Sequence, residues 1–182
     1  MKFRKSSSLL AAGAVVLMQL PAAALVQVED TVNVNADMAT VWQALKDYQK
    51  EGKLFDKRIT KETGADTSIN EDFIKVPIVG TATLDYVESR KGNDRVDYWL
   101  TGSKFLNVFK GSWQLSKNEN GGTTIKLTTN IDSWMPVPLK NKILRNSTVN
   151  GMKKRLAYVK THAEELAGHK VSSQQAEPQK NL

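Results

Sequence analysis

Reactive side chains are scarce in this chain of 182 residues, which holds two histidines and no cysteine. Without Cys there is no thiol nucleophile and no thiolate metal ligand. His169 falls at or beyond the end of the last apolar stripe. His162 lies one residue before Ala163 and reads as a solvent-facing helix residue rather than a base. No HExxH, GxSxG or phosphate-cradling Gly loop occurs. Carboxylates can still act as acid or base when buried. By strand parity Asp85 and Asp97 point to a wet face, whereas Glu88 shares the dry parity of Leu84 and Tyr86. Glu88 is then either a solvated strand end or a polar anchor at a cavity mouth. No catalytic residue, metal site or cofactor is expected on this basis, and whether the chain is an enzyme stays open.

The elements that would position these groups follow from periodicity. Lys2, Arg4 and Lys5 precede a largely apolar stretch of 12 residues, Leu9 to Leu20, and then Pro21 and Ala22-Ala23-Ala24. That is the pattern of a cleaved signal peptide over residues 1–24, too short for the roughly 20 residues of a membrane span. A periplasmic or secreted location is expected. Without the leader, 23 basic residues face 19 acidic ones. A balance of +4 is too mild for a nucleic-acid footprint.

Val26, Val28, Val32 and Val34 alternate with polar residues as in a half-buried strand. Asn35 or Asp37 can cap a helix carrying Met38, Val41, Trp42 and Leu45, which should end near Glu51-Gly52-Lys53. From Lys57 to Asp132 about six strands are separated by turn chemistry at 64–70, 77–80, 92–94, 103–107 and 118–122. Pro77 marks an edge or a break. Short loops imply antiparallel neighbours. Leu139, Ile143, Met152, Leu156, Val159, Ala163 and Leu166 then recur at helical spacing, with Asn150-Gly151 a point of bending and Gly168 a natural stop. Residues 169–182 read as a disordered polar tail. The mature part, 25–168, is expected to be one α+β domain. Its curved antiparallel sheet of seven strands wraps the long C-terminal helix, with one or two short helices after the first strand.

The run Asn33-Val34-Asn35-Ala36-Asp37-Met38-Ala39-Thr40-Val41-Trp42-Gln43-Ala44-Leu45-Lys46-Asp47 resembles the entry of START-like (SRPBCC) helix-grip domains. Gly111-Ser112-Trp113-Gln114-Leu115 looks like the G-x-W-x-L strand of their polyketide-cyclase/dehydrase branch. Pro136-Val137-Pro138-Leu139 is similar to the corner opening that branch's last helix. The resemblance spans residues 26–167. It implies an apolar cavity between sheet and helix, in a superfamily whose members bind lipids, sterols, quinones, polyketides or plant hormones and in a minority of cases catalyse cyclisation or dehydration.

A continuous cavity beside residues 149–163 is therefore expected. Its ligand-binding wall comprises Leu84, Tyr86, Tyr98, Leu100, Phe109, Trp113, Leu127, Met152, Leu156 and Val159, with small or polar Ala82, Gly111 and Thr129 leaving room. Burying about 12 methylenes at roughly 0.8 kcal/mol each would supply on the order of 10 kcal/mol, so apolar contact alone could hold one lipid-like chain. The expected role is periplasmic binding or transport of an apolar, lipid-like small molecule by a monomer. A cyclase/dehydratase-type enzyme and an interaction module with a filled core are the alternatives. Trp134, Met135, Lys140, Lys142 and Arg145 combine an apolar corner with cations, as in a membrane-surface contact; otherwise Trp134 packs inside. Lys153-Lys154-Arg155 is a short basic cluster that reads equally as solvated charge.

Overall fold

The computed structural model describes residues 25–50, 56, 58–76, 80–135 and 137–175. The expected leader, the Glu51-Gly52-Lys53 and Pro77 breaks, and the end of the tail lie outside these residues. Seven strands are present: β1 (Val26–Val34), β2 (Arg58–Thr63), β3 (Asp66–Val76), β4 (Gly80–Lys91), β5 (Arg95–Ser103), β6 (Leu106–Lys117) and β7 (Thr123–Ser133). Helix α1 (Met38–Lys50) follows β1, and helix α2 (Lys140–Gln175) follows β7. The sheet order is β1-β7-β6-β5-β4-β3-β2, antiparallel throughout. The expected α+β architecture is therefore present: one curved sheet, a short helix after the first strand and a long last helix.

Pairing of β1 with β7 brings the start of the chain beside its last strand, with Val28 opposite Thr129 and Val32 opposite Ile125. Along β7 the alternation is strict, and Ile125, Leu127, Thr129 and Ile131 are all buried. The capping residue of α1 is Asp37. Its carboxylate accepts from the Thr40 N–H at 2.8 Å and from the Thr40 hydroxyl at 3.0 Å, satisfying a donor of the first turn.

Helix α2 packs against α1, β1 and β7. Its inward stripe is Leu144, Thr148, Met152, Arg155, Leu156, Val159 and Ala163. Leu139, expected to begin that stripe, lies outside it and is 72% exposed. The helix runs unbroken through Asn150-Gly151 and continues past Gly168 to Gln175, so neither glycine ends it and residues 169–175 are helical rather than tail. A single glycine lowers helix propensity by about 1 kcal/mol, which tertiary packing on either side overrides. The turn expected over 64–70 is narrower: Gly64, in the left-handed region at φ 60°, and Ala65 make it, and residues 66–70 belong to β3.

Gly111 is required by a close approach rather than by a turn. A Cβ there would stand 1.9 Å from the Thr128 carbonyl oxygen and 2.5 Å from the Tyr98 hydroxyl. The room expected at Gly111 is thus occupied by the Tyr98 ring. Gly151 is the opposite case, since a Cβ there meets nothing within 4 Å. Gly111→Ala should therefore destabilise by about 1–3 kcal/mol or more through overpacking. Gly151→Ala should stabilise by up to about 1 kcal/mol through helix propensity. Urea denaturation of the two variants checks this; equal midpoints would refute the packing at Gly111.

Candidate functional site

Parity along β3 sends Ile69, Glu71 and Phe73 toward the helix, and this places a carboxylate in the core: Glu71 is 0% exposed. Arg155, three residues after Met152 on the buried face of α2, is its counter-ion. The Arg155 Nη2 donates to Glu71 Oε1, and Nη1 lies 3.4 Å from Oε2. The same Nη1 donates to the Tyr48 hydroxyl of α1 at 2.6 Å, and the Tyr86 hydroxyl of β4 donates to Glu71 Oε2 at 2.7 Å. Burial works against the Arg155 charge, but the Glu71 carboxylate outweighs it and raises the guanidinium pKa above its ordinary value. Burial is also the main reason that the Tyr48 and Tyr86 phenols are pushed well above theirs. These hydroxyls are fixed neutral hydrogen-bonding groups.

A small void lies beside this cluster, between the sheet and α2. Its volume is about 20 Å³, which is room for one water. Of the expected wall, Tyr86, Tyr98, Phe109, Trp113, Leu127 and Met152 border it; Leu84, Leu100, Leu156 and Val159 do not, and pack elsewhere against the core. Among the described residues the continuous chamber expected from the resemblance is not open, because aromatic rings fill the space. Phe109 contacts Tyr98, Tyr86 and Phe73 with centroids 5.1 to 5.5 Å apart. The Tyr98 hydroxyl donates to the Thr128 carbonyl at 2.7 Å and lies 2.5 Å from the Thr129 hydroxyl. Burial outweighs the bond to the Thr129 hydroxyl and raises the Tyr98 phenol pKa above its ordinary value as well.

Phe73, Glu88, Thr129, Thr148, Gly151 and Arg155 complete the lining. Of these, Thr129 is an expected open position and Glu88 an expected alternative as polar anchor; Phe73, Thr148, Gly151 and Arg155 are not among the expected wall residues. Arg155 was hidden in the Lys153-Lys154-Arg155 run, whose first two members are exposed while the third is buried. The available signal was its spacing from Met152. Glu88 is 3% exposed and is an interior group rather than a solvated strand end. It accepts from Gln49 Nε2 at 2.5 Å and also borders a second cleft of about 220 Å³ between the end of α1 and the β2–β3 turn. The Thr148 hydroxyl is buried and, among the described residues, has no hydrogen-bond partner.

Other expected groups are less central. Asp85 is exposed and bonded to Asn70, and Asp97 pairs with Arg95 at 2.6 Å, both on the outer face. His162 is not simply solvent-facing: it is half-buried, and its Nε2 lies 3.1 Å from Asp47 of α1. At the corner Trp134 does not pack inside but is 54% exposed, over Phe105 at 5.9 Å. Met135, expected beside it at the surface, is buried, and Lys140 pairs with Asp132 at 3.1 Å. Lys142 and Arg145 are exposed. Among the described residues no group of three His, Asp or Glu is placed to hold a metal ion.

No family model and no curated protein sequence matches the chain. Solved structures do. An aromatase/cyclase, Zhui from Streptomyces sp. R1128, superposes with a TM-score of 0.61 at 15% identity, covering 81% of this chain and 96% of that one. A START superfamily protein from Mycobacterium smegmatis gives a TM-score of 0.57 at 11% identity, over 79% and 97% of the two chains. Ara h 8.0201 gives 0.55 at 13% identity, over 77% and 98%. With the strand order and the gripped last helix, these superpositions establish that the chain has the START/SRPBCC helix-grip fold.

Proposed function

We propose that this protein binds an apolar small molecule bearing a polar group in the space between the sheet and α2, in an exported compartment. The observation that carries the reading is the convergence of Thr148, Glu88 and Arg155 on one void among aromatic rings. A core serving only to fill space has no use for a buried hydroxyl without a partner, since such a group costs about 1–3 kcal/mol. A ligand hydroxyl or carbonyl at that point satisfies it. At about 20 Å³ the void is far below the roughly 300–1,000 Å³ of small-molecule sites. Binding is therefore coupled to displacement of side chains, and Met152, unbranched and adaptable, and half-buried Phe73 are the ones placed to yield.

Gly151→Leu tests this reading because it puts a side chain into open space while favouring the helix. The parent should bind N-phenyl-1-naphthylamine with enhanced fluorescence and release an apolar compound on solvent extraction. The variant should lose at least tenfold in probe affinity while melting no lower than the parent. No probe binding by the parent, or equal binding by both, would assign the fold a filled core.

A second reading is favoured by Glu88, an ionisable group at the void. In a cyclase- or dehydratase-type reaction its carboxyl is the group positioned to move a proton. Glu88→Gln should then abolish turnover of a polyketide-like substrate and keep probe binding; unchanged turnover removes Glu88 from that role.

Export is part of the proposal, supported by the pattern of residues 2–24. Cell fractionation should recover the protein outside the cytoplasm, with an N-terminal sequence beginning at Leu25. An intact Met1 in the cytoplasmic fraction would overturn it.

A further inference from the structure

We propose that the corner between β7 and α2 docks this protein onto an anionic lipid surface. The first observation is conformational. Leu139 has φ 58°, in the left-handed region, and its side chain is 72% exposed. A bulky residue with positive φ is a strained outlier, and glycine would occupy the position at lower cost. Leu139 is also fixed there, because its carbonyl accepts from the N–H groups of Lys142 at 2.9 Å and Ile143 at 3.0 Å. Nothing in the fold is gained by a leucine that touches solvent at such a position. An apolar environment outside the chain supplies the reason.

The second observation is the company it keeps. Trp134 is 54% exposed on the same connection, and its ring rests on Phe105, so it is held outward rather than collapsed. Lys104 also stands over the Phe105 ring, 5.4 Å from its centre. Lys142 and Arg145 are exposed in the first turns of α2, which carry no acidic residue. Asp132, near the end of β7, is engaged by Lys140. Slight burial would raise its pKa, but hydrogen bonds from the Ser133 N–H, Lys140 and Asn107 prevail and hold it below the ordinary 3.8. The corner thus joins two exposed apolar side chains to cations that have no ion-pair partner among the described residues.

Charge complementarity and size together choose the occupant. A stable protein interface buries about 800 Å² on each side, more than two exposed apolar side chains present. A bilayer interface needs only a few apolar side chains at the headgroup boundary and nearby cations for anionic lipid. The proposal stands apart from the ligand reading, since it uses none of the residues around the void.

Cosedimentation of the protein, as processed by the expressing cell, with phosphatidylglycerol–phosphatidylcholine vesicles tests it. Binding should exceed that to phosphatidylcholine alone and weaken with added salt. Lys142→Gln and Arg145→Gln should each reduce affinity roughly fivefold. Trp134→Ala should reduce it further and remove a blue shift of tryptophan emission. Leu139→Gly should weaken binding while raising the melting temperature, an effect that damage to the fold would not produce. Equal binding to neutral vesicles, or full binding by the Trp134 and Arg145 variants, would overturn the proposal. So would a concentration-dependent dimer abolished by Trp134→Ala, which would assign the corner to a second copy of the chain.

Discussion

The interior of this domain is organised by the Arg155–Glu71 ion pair. Taking the two charges out of water costs several kcal/mol per ion, and their attraction offsets this only with good geometry and further hydrogen bonds. Both conditions are met through Tyr48 and Tyr86, which bond to the guanidinium and the carboxylate. Four elements therefore meet at one point: α2 through Arg155, β3 through Glu71, α1 through Tyr48 and β4 through Tyr86. Losing one charge from such a pair costs about 3–5 kcal/mol, because the other stays buried without compensation. The apolar stripe of α2 could slide or rotate over the sheet at modest cost. The ion pair cannot, so it sets how the helix is seated.

That seating explains the character of the void. With Arg155 turned inward, the space beside it is bordered by Glu88 and Thr148 as well as by aromatic rings. Tyr98 is drawn across the vacant side of Gly111 to reach the Thr128 carbonyl and the Thr129 hydroxyl. The result is a narrow, mixed interior rather than an empty greasy chamber. Transfer of hydrocarbon out of water, sufficient for a lipid-like chain in a preformed cavity, must here also offset the work of moving side chains. On the ligand-binding reading proposed above, a polar group on the ligand would recover part of that work at Thr148.

Much of the fold was legible because its alternation is strict. Ile125 to Ile131, and Leu84 with Tyr86, have the parity of a buried face and occupy one. The long helix was legible from Met152, Leu156, Val159 and Ala163. The site was legible only in its apolar half. Residues 66–70 are polar enough to pass for a loop, so β3 was cut short and Glu71 was never assigned a face. Arg155 was masked by two exposed lysines before it, although it falls three residues after Met152. Gly111 was legible as a missing side chain but not as the seat of a ring from the neighbouring strand, because cross-strand register cannot be read from one strand alone. At Trp134-Met135 adjacent apolar residues point opposite ways, which composition cannot distinguish.

The charge of the chain is mild, and the structure shows how unevenly its basic residues are engaged. Arg155 is committed to Glu71, Lys140 to Asp132, and Lys160 to both Glu164 and the Asn33 carbonyl. Each of these ties α2 to itself or to the sheet, so their charge is cancelled locally and lends little field to the surface. Among the described residues Lys142 and Arg145 make no such ion pair, and they follow closely in sequence the two most exposed large apolar side chains, Trp134 and Leu139. Net charge alone hides this division. Electrostatic attraction to a partner depends on which charges remain uncompensated and where, and Lys142 and Arg145 place two of them at one end of the helix whose middle builds the void. One rigid element thus carries a charge neutralised to fix the core and charges left open to the surroundings, separated by about 10–13 residues, or roughly 15–20 Å at 1.5 Å per residue.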